Sequence, residues 1–179
     1  MSGDEALIRI VDTAMAEAAR KSGAWLVCRS GCTDCCLGPF PITQLDARRL
    51  REGLAELERR DGERAARVRE RARQAVADAA TDDDPCPALD RSTGTCDLYA
   101  ARPITCRIFG PPVRCGSEAV GVCELCFRGA SDEEVAACRV EIDPGLESQL
   151  LDEVEESTGV RGETSVAFAL VAASEGARR

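Results

Sequence analysis

The stretch Cys28-Arg29-Ser30-Gly31-Cys32-Thr33-Asp34-Cys35-Cys36 places four thiols within nine residues, and we expect the fold to form around it. The sequence Gly38-Pro39-Phe40-Pro41 follows directly, so glycine and proline predict a loop here. Beyond a long cysteine-free stretch lie seven more cysteines: Cys86, Cys96, Cys106, Cys115, Cys123, Cys126 and Cys138. Thiolates are soft ligands, and their supply from two distant segments indicates a metal site that closes the chain on itself.

The composition of the chain excludes several classes of protein. The chain has 179 residues, 11 cysteines, no histidine and a formal net charge of -9. The lack of histidine excludes Cys/His zinc sites and His-based catalytic triads, and the negative charge argues against nucleic acid as a partner. Arginines concentrate in residues 48–73, but glutamates alternate with them, which is typical of a solvated helical face.

The N-terminal residues and the hydropathy pattern predict a cytoplasmic protein with no membrane segment. Residues 1–21 contain Asp4, Glu5, Asp12 and Glu17 and no unbroken apolar run, so we expect no signal peptide. The chain also lacks a run of about 18 apolar residues, the length that crosses a bilayer. In a reducing compartment, an odd number of cysteines fits metal binding better than a disulfide framework.

Apolar residues at three- and four-residue spacing predict a mostly α fold, in which helices pack around a loop-rich, cysteine-ligated metal centre. The length favours a single domain over residues 1–179, in which segments 1–22 and 144–173 flank a cysteine-rich metal-binding region at 28–126. The predicted helices cover 4–22, a stretch from the N-cap Thr43 to the break at Asp61-Gly62, and 63–80 packed on the preceding helix as an antiparallel hairpin. Another helix is expected over 144–157. Residues 164–173 fit a short helix or a strand, and we favour a helix because Thr164 can cap it.

The cysteine pattern resembles the CxxCxxCC family, also called the YkgJ family. The resemblance covers about residues 28–115 and begins with a C-x3-C-x2-C-C spacing, whose first gap is one residue longer than the family name gives. The matching positions are Cys28, Cys32, Cys35, Cys36, Cys86 with Leu89 and Asp90, Cys96 with Leu98 and Tyr99, Arg102-Pro103 before Cys106, and Cys115.

Members of this family are described as zinc- or iron-chelating proteins or as Fe–S oxidoreductases, so the resemblance implies metal binding without fixing an activity. A similar cysteine domain occurs in flagellin lysine methylases, where an iron–sulfur cluster is implied, and this favours iron over zinc. The candidate metal ligands are the eight matched thiols together with the C-x-x-C pair Cys123 and Cys126. We expect Cys138, in an alanine-rich segment, to be a buried and inert thiol.

The thiols outnumber the ligands of one site. A [4Fe–4S] cluster takes four cysteines, so the eight matched thiols could form two four-thiolate sites, or one cluster with structural cysteines beside it. Neighbouring side chains in extended backbone point apart, which predicts that Cys35 and Cys36 do not easily share an ion. Arg102 and Arg107 flank Cys106 and are expected to offset the negative charge of the thiolates; for Arg102, a salt bridge or a helix cap is the alternative.

Three functions fit this pattern. The first is a protein that holds an iron–sulfur cluster, of the [4Fe–4S] type, and transfers electrons to a redox partner or serves an enzyme. The second is a zinc-stabilised module that binds a protein partner. The third is an enzyme, an Fe–S oxidoreductase with its substrate beside the cluster. Four thiolates leave no open coordination position, and histidine bases are lacking, so hydrolysis is disfavoured.

Overall fold

The computed structural model describes residues 2–115, 121–143 and 145–176, and α-helices dominate these residues. The helices are α1 (Gly3–Ser22), α2 (Gln44–Arg60), α3 (Gly62–Ala77), α4 (Ile104–Arg107), α5 (Asp132–Cys138), α6 (Gly145–Thr158) and α7 (Val166–Gly176). The predicted mostly α fold is confirmed. Within the described ranges, no helix combines the length and the apolar character that crossing a membrane requires.

Short strands join distant parts of the chain in pairs. They are β1 (Pro41–Ile42), β2 (Leu89–Asp90), β3 (Thr95–Cys96), β4 (Val113–Cys115), β5 (Val140–Ile142) and β6 (Thr164–Ser165). β1 pairs antiparallel with β6, β2 antiparallel with β3, and β4 parallel with β5. Two-stranded ribbons are marginal by themselves, so these pairs depend on the helices and turns that pack against them.

Local signals place the ends of the first three helices. Gly23, with φ 51°, ends α1 in a conformation that glycine adopts readily. The Thr43 hydroxyl caps α2 by accepting a hydrogen bond from the Asp46 amide at 3.2 Å. The Asp61 carboxylate caps α3 by accepting one from the Arg64 amide at 3.0 Å, and the chain breaks between the helices as predicted. Only the end of α3, at Ala77, comes earlier than expected.

The C-terminal segment differs from its prediction in one respect. Thr164 does not cap the last helix, because it lies in β6 and pairs with Ile42 of β1. The helix α7 begins at Val166, and the Ser165 hydroxyl accepts a hydrogen bond from the Phe168 amide at 3.4 Å. Pairing with β1 therefore moves the cap one residue along the chain. The helix predicted over 144–157 is α6, and position 144 itself lies outside the described residues.

The chain divides into two compact units. Unit 1 comprises Met1–Arg29 and Ile104–Glu153, and in it α1 packs against α4, α5 and β5. Unit 2 comprises Ser30–Pro103 and Val154–Arg179, and in it α2, α3 and α7 pack on one another. Leu54 and Leu170 are fully buried in the core of unit 2. The single domain that the chain length predicts stays a prediction.

Gly53 allows α2 to approach the 3₁₀ turn Tyr99–Ala101 closely. A Cβ atom at Gly53 would lie 2.3 Å from the Cβ of Ala101, which is far inside van der Waals contact. The turn leads from the second cysteine segment, so this close approach fixes part of that segment against the helical core.

We expect Gly53→Ala to lower the free energy of unfolding by about 1–2 kcal/mol, because the overlap with Ala101 costs more than the helix propensity of alanine contributes. Urea denaturation measures the change. The matched control is Gly62→Ala on α3, where a Cβ would meet nothing within 4 Å, and this variant should keep or gain stability. Adding Ala101→Gly to Gly53→Ala should restore the lost stability. A double variant as unstable as the single one would contradict the packing argument.

Candidate metal centre

Four thiols of unit 2 lie near one another: Cys35, Cys36, Cys86 and Cys96. Each is close enough to the other three for a charge on one sulfur to influence the protonation of another. We refer to these residues as the four-thiol group. Its members come from two segments that are separated in sequence by the helices α2 and α3.

Backbone hydrogen bonds join the two segments that carry the four-thiol group. The Cys86 amide donates to the Cys36 carbonyl oxygen at 2.7 Å, and the Gly38 amide donates to the Asp84 carbonyl oxygen at 2.9 Å. These bonds form an antiparallel bridge between the residues after the first segment and those before the second. The positions of Cys36 and Cys86 are therefore fixed by the main chain as well as by their side chains.

The prediction that Cys35 and Cys36 point apart is wrong, because their backbone is not extended. Asp34–Cys36 forms a 3₁₀ turn, closed by a hydrogen bond from the Cys36 amide to the Thr33 carbonyl oxygen at 2.8 Å. In this turn the two thiols hydrogen-bond to each other, which lowers the pKa of Cys35 to about 6. The same bond, followed by burial, raises the pKa of Cys36. The two sulfurs therefore lie close to each other.

Cys86 and Cys96 have similar surroundings. Cys86 lies three residues before the β2–β3 hairpin, and Cys96 is the last residue of β3. The Cys86 sulfur accepts a hydrogen bond from the Ala88 amide, and the Cys96 sulfur accepts one from the Leu98 amide. Burial nevertheless raises the pKa of Cys86 to about 11 and also raises the pKa of Cys96. Amide donors stabilise thiolates, and a bound cation would offset the remaining cost of burying their charge.

Arg102 lies near two thiols of the four-thiol group, and its role beside a metal stays a prediction. Its guanidinium stacks on the Tyr99 ring, 3.9 Å from the ring centroid, and donates to the Tyr99 carbonyl oxygen at 3.0 Å. The positive charge of Arg102 favours the thiolate forms of Cys35 and Cys96 and so opposes the effects that raise their pKa values. The stacking holds that charge in place.

Sequence reasoning missed the ion-pair network that anchors the hairpin to α3. The Asp97 side chain, only 1% exposed, pairs with Arg64 and accepts a hydrogen bond from Arg71 Nη2 at 2.6 Å. Arg71 Nε also donates to the Pro87 carbonyl oxygen at 2.8 Å, and the arginine charge favours the thiolate form of Cys86. The interpretation of residues 48–73 as a solvated face is therefore wrong for Arg71. The available signal was Asp97, an acidic residue directly after a candidate ligand.

A second set of thiols lies in unit 1 and consists of Cys28, Cys123 and Cys126. The sulfurs of Cys28 and Cys126 are 4.0 Å apart. The Cys126 amide donates to the Cys123 carbonyl oxygen at 2.9 Å and closes a turn. The Cys123 sulfur accepts hydrogen bonds from the Leu125 and Cys126 amides, although burial raises its pKa. We refer to this set as the second thiol group.

Close packing holds the second thiol group together. A Cβ at Gly110 would lie 3.1 Å from the Cys28 sulfur, and the Gly110 carbonyl oxygen accepts a hydrogen bond from the Cys123 amide at 3.1 Å. The rings of Trp25 and Phe127 stack with their centroids 6.3 Å apart. The Phe127 amide donates to the Trp25 carbonyl oxygen at 3.1 Å. The chain before Cys28 is thereby fixed against the C-x-x-C turn.

The remaining candidate ligands are placed as follows. Cys32 is half-buried and belongs to unit 2, whereas Cys106 is half-buried and belongs to unit 1. Cys115 is the last residue of β4, and its side chain lies outside the described part of the structure. The structure thus brings together seven of the ten candidates, in two groups, and their roles as ligands stay predictions.

Two further residues occupy structural positions in unit 1. Cys138 is buried, as predicted, and its thiol donates to the Lys21 carbonyl oxygen at 3.3 Å. Arg107 is buried too, and it donates to both carboxylate oxygens of Asp12, at 2.8 and 2.9 Å. This ion pair connects α4 to α1. The role of Arg107 beside the thiolates stays a prediction.

The donor chemistry suits a soft metal or a cluster. All ten cysteines whose side chains are described are free thiols. Among the described residues, no three or more Cys, Asp or Glu side chains are arranged so that they could hold a metal ion. The four-thiol group nevertheless offers four sulfurs, amide donors to two of them and nearby guanidinium charge, which is the chemistry that thiolate-bound metals require.

Comparison with protein families gives the class of this protein. A family model for the CxxCxxCC domain, described as a putative zinc- or iron-chelating domain, matches residues 27–126. This span is more than half of the chain, and the protein belongs to the CxxCxxCC family. The matched span is longer than the resemblance at residues 28–115, and it includes Cys123 and Cys126. Comparisons with curated proteins and with solved structures gave no significant match.

We expect Asp97→Asn to lower the free energy of unfolding by about 2 kcal/mol, because it leaves the Arg64 and Arg71 charges without their shared carboxylate. Chemical denaturation measures the loss. The control is Glu70→Gln, which removes an exposed ion pair with Arg73 on α3, the helix that also carries Arg64 and Arg71. It should lower the free energy of unfolding by less than about 0.5 kcal/mol. Equal effects of the two substitutions would show that the Asp97 network does not anchor the hairpin.

In metal-free protein, diamide should cross-link Cys28 to Cys126, because their sulfurs need to approach by only about 2 Å to reach the length of a disulfide bond. Cleavage after Arg29 and after Glu124 puts Cys28 and Cys126 on separate short peptides, so mass spectrometry can identify the link. Cys28→Ser should abolish this product, and Cys32→Ser should leave it. Oxidation that joins Cys28 only to Cys32 or Cys35 would contradict the arrangement of the second thiol group.

Proposed function

We propose that this protein holds a [4Fe–4S] cluster through Cys35, Cys36, Cys86 and Cys96, and acts in electron transfer or as an accessory to an enzyme. The observation that carries the proposal is the mutual proximity of these four thiols. Four cysteine thiolates are the ligand set of such a cluster. The family accounts for chelation of zinc or iron, and the resemblance to the cysteine domain of flagellin lysine methylases favours iron.

The residues around the four-thiol group have distinct tasks in this function. When bound, the cluster supplies one-electron transfer. The Ala88 and Leu98 amides hydrogen-bond to two of the sulfurs, and Arg102 and Arg71 add positive charge beside the thiolates. A four-thiolate site is negatively charged, so these donors and cations stabilise it and favour the reduced, more negative state. The protein thereby tunes the reduction potential.

Two exposed apolar side chains near the four-thiol group offer a surface on which a protein partner or redox partner would dock. Leu37 follows the Cys35-Cys36 pair directly and is 45% exposed, and Tyr99, which stacks with Arg102, is 64% exposed. Exposed apolar side chains of this size beside a functional site favour a docking surface. The net charge of -9 disfavours nucleic acid. We place the protein in the cytoplasm, where thiols stay reduced and available to metal.

A zinc-stabilised interaction module is the second candidate, and one feature favours it. Cys86 and Cys96 each accept a hydrogen bond from the amide two residues further on; Cys96 ends the β2–β3 hairpin, and Cys86 lies three residues before it. Paired cysteine turns of this kind suit the closed four-thiolate zinc sites of small structural domains. In this case the metal would stabilise unit 2, and its partner would be a protein with no electron transfer.

Protein purified without oxygen should contain about four iron and about four acid-labile sulfide ions per chain, with broad absorption near roughly 400 nm. Elemental analysis, sulfide assay and the visible spectrum measure this. Cys96→Ser should remove most of the iron, because it deletes one of four ligands. Cys138→Ser is the matched control, since that thiol is buried against a backbone carbonyl, and it should retain the full content.

Zinc without sulfide in the wild-type protein would contradict the cluster and support the zinc-stabilised module instead. Equal loss of metal from Cys96→Ser and Cys138→Ser would contradict the assignment of the ligands, whichever metal is bound. The melting temperature of each variant, measured in parallel, separates a lost ligand from a lost fold.

A further inference from the structure

Unit 2 contains a groove of about 670 Å³ that is separate from its thiols. Its walls come from α2, α3, the end of α6, β6 and α7. Grooves that bind small molecules have volumes of about 300–1,000 Å³ and combine an apolar wall with a few polar groups. We refer to this feature as the α2–α7 groove, and its lining combines apolar and charged residues.

Part of the lining of the α2–α7 groove is apolar. The lining residues include Leu54 and Ala169, which also belong to the core of unit 2. Phe168 and Val160 line it as well, and these side chains are 58% and 52% exposed. These two side chains expose apolar surface to water, which is unfavourable. An apolar ligand in the groove would cover that surface.

The lining also carries positive charge that the described residues do not neutralise. Arg51 and Arg69 line the groove together with one acidic residue, Glu58, so the lining has a net charge of +1 in a chain whose net charge is -9. The Glu58 carboxylate accepts hydrogen bonds from Arg69 Nη1 and Nη2, at 2.9 and 2.6 Å. The cation that remains is Arg51.

Arg51 has no carboxylate at ion-pair distance among the described residues. Its neighbour Glu52 pairs instead with Arg48, at 3.8 Å. Burial lowers the pKa of Arg51; the charge of Glu52 opposes this shift and the charge of Arg48 adds to it. The guanidinium is therefore partly desolvated. The Nε atom of Arg69 is also buried and has no hydrogen-bond partner in the described structure. Buried donors without acceptors are costly, and an anion in the groove would supply the acceptors.

We propose that the α2–α7 groove binds a small amphipathic carboxylate, whose anionic head lies at Arg51 and whose apolar body lies against Phe168 and Val160. The charge selects an anion, and the apolar wall selects one that carries a hydrocarbon chain or ring. This function is additional to the metal centre and does not depend on which metal the thiols hold.

Isothermal titration of the full-length, metal-loaded protein tests this with three probes: octanoate, octan-1-ol and acetate. Octanoate should bind at least about tenfold more tightly than octan-1-ol, which lacks the charge, and than acetate, which lacks the apolar body. Equal affinity for octanoate and either other probe would overturn the proposal. An absence of octanoate binding at millimolar concentration would overturn it too, and would leave the groove to a different occupant such as a partner protein.

Variants locate the binding. Arg51→Gln should weaken octanoate about tenfold and leave octan-1-ol unchanged, whereas Phe168→Ser should weaken both. Arg59→Gln is the matched control, because Arg59 lies on the same helix, pairs with Glu56 and does not line the groove. Arg51→Lys retains the charge and should keep most of the affinity. If Arg51→Gln binds octanoate as the wild type does, or if Arg59→Gln has the same effect as Arg51→Gln, the proposal is wrong.

Discussion

The candidate metal centre depends on the hydrogen bond from the Cys86 amide to the Cys36 carbonyl oxygen, which is 2.7 Å long. It connects two loop segments that have little regular structure of their own. The helices α2 and α3 lie between these segments in sequence, so their packing brings the segments together. The loop-rich part of the site therefore takes its geometry from the helical core rather than from any local propensity.

The positive charges around the four-thiol group favour the thiolate forms, which burial disfavours. Burying Cys86 and Cys96 raises their pKa values and so disfavours the thiolates that metals bind. Amide donors, Arg71 and Arg102 oppose this effect, and Arg71 also holds the hairpin through Asp97. One arginine therefore serves both the stability of the hairpin and the electrostatics of the site. An exposed arginine at that place would do neither.

Seven of the ten candidate thiols fall into two groups, one in each compact unit. Cys28 has the sulfur of Cys126 at 4.0 Å, whereas Cys35 and Cys36 lie with Cys86 and Cys96. The first gap of the motif, one residue longer than the family name gives, lies between Cys28 of the second thiol group and Cys32, which belongs to neither group. These seven thiols therefore do not form one group.

The sequence by itself determined the mostly α fold, the cap at Thr43, the break at Asp61-Gly62, the family and the candidate thiols. These features depend on residue type and spacing along one short segment, which a single sequence displays. Only the tertiary structure decided that Cys35 and Cys36 lie side by side in a turn, that Asp97 joins Arg64 to Arg71, and that Thr164 lies in a strand. Each of these involves a turn geometry or a partner distant in sequence, and spacing along one segment carries no information about such partners.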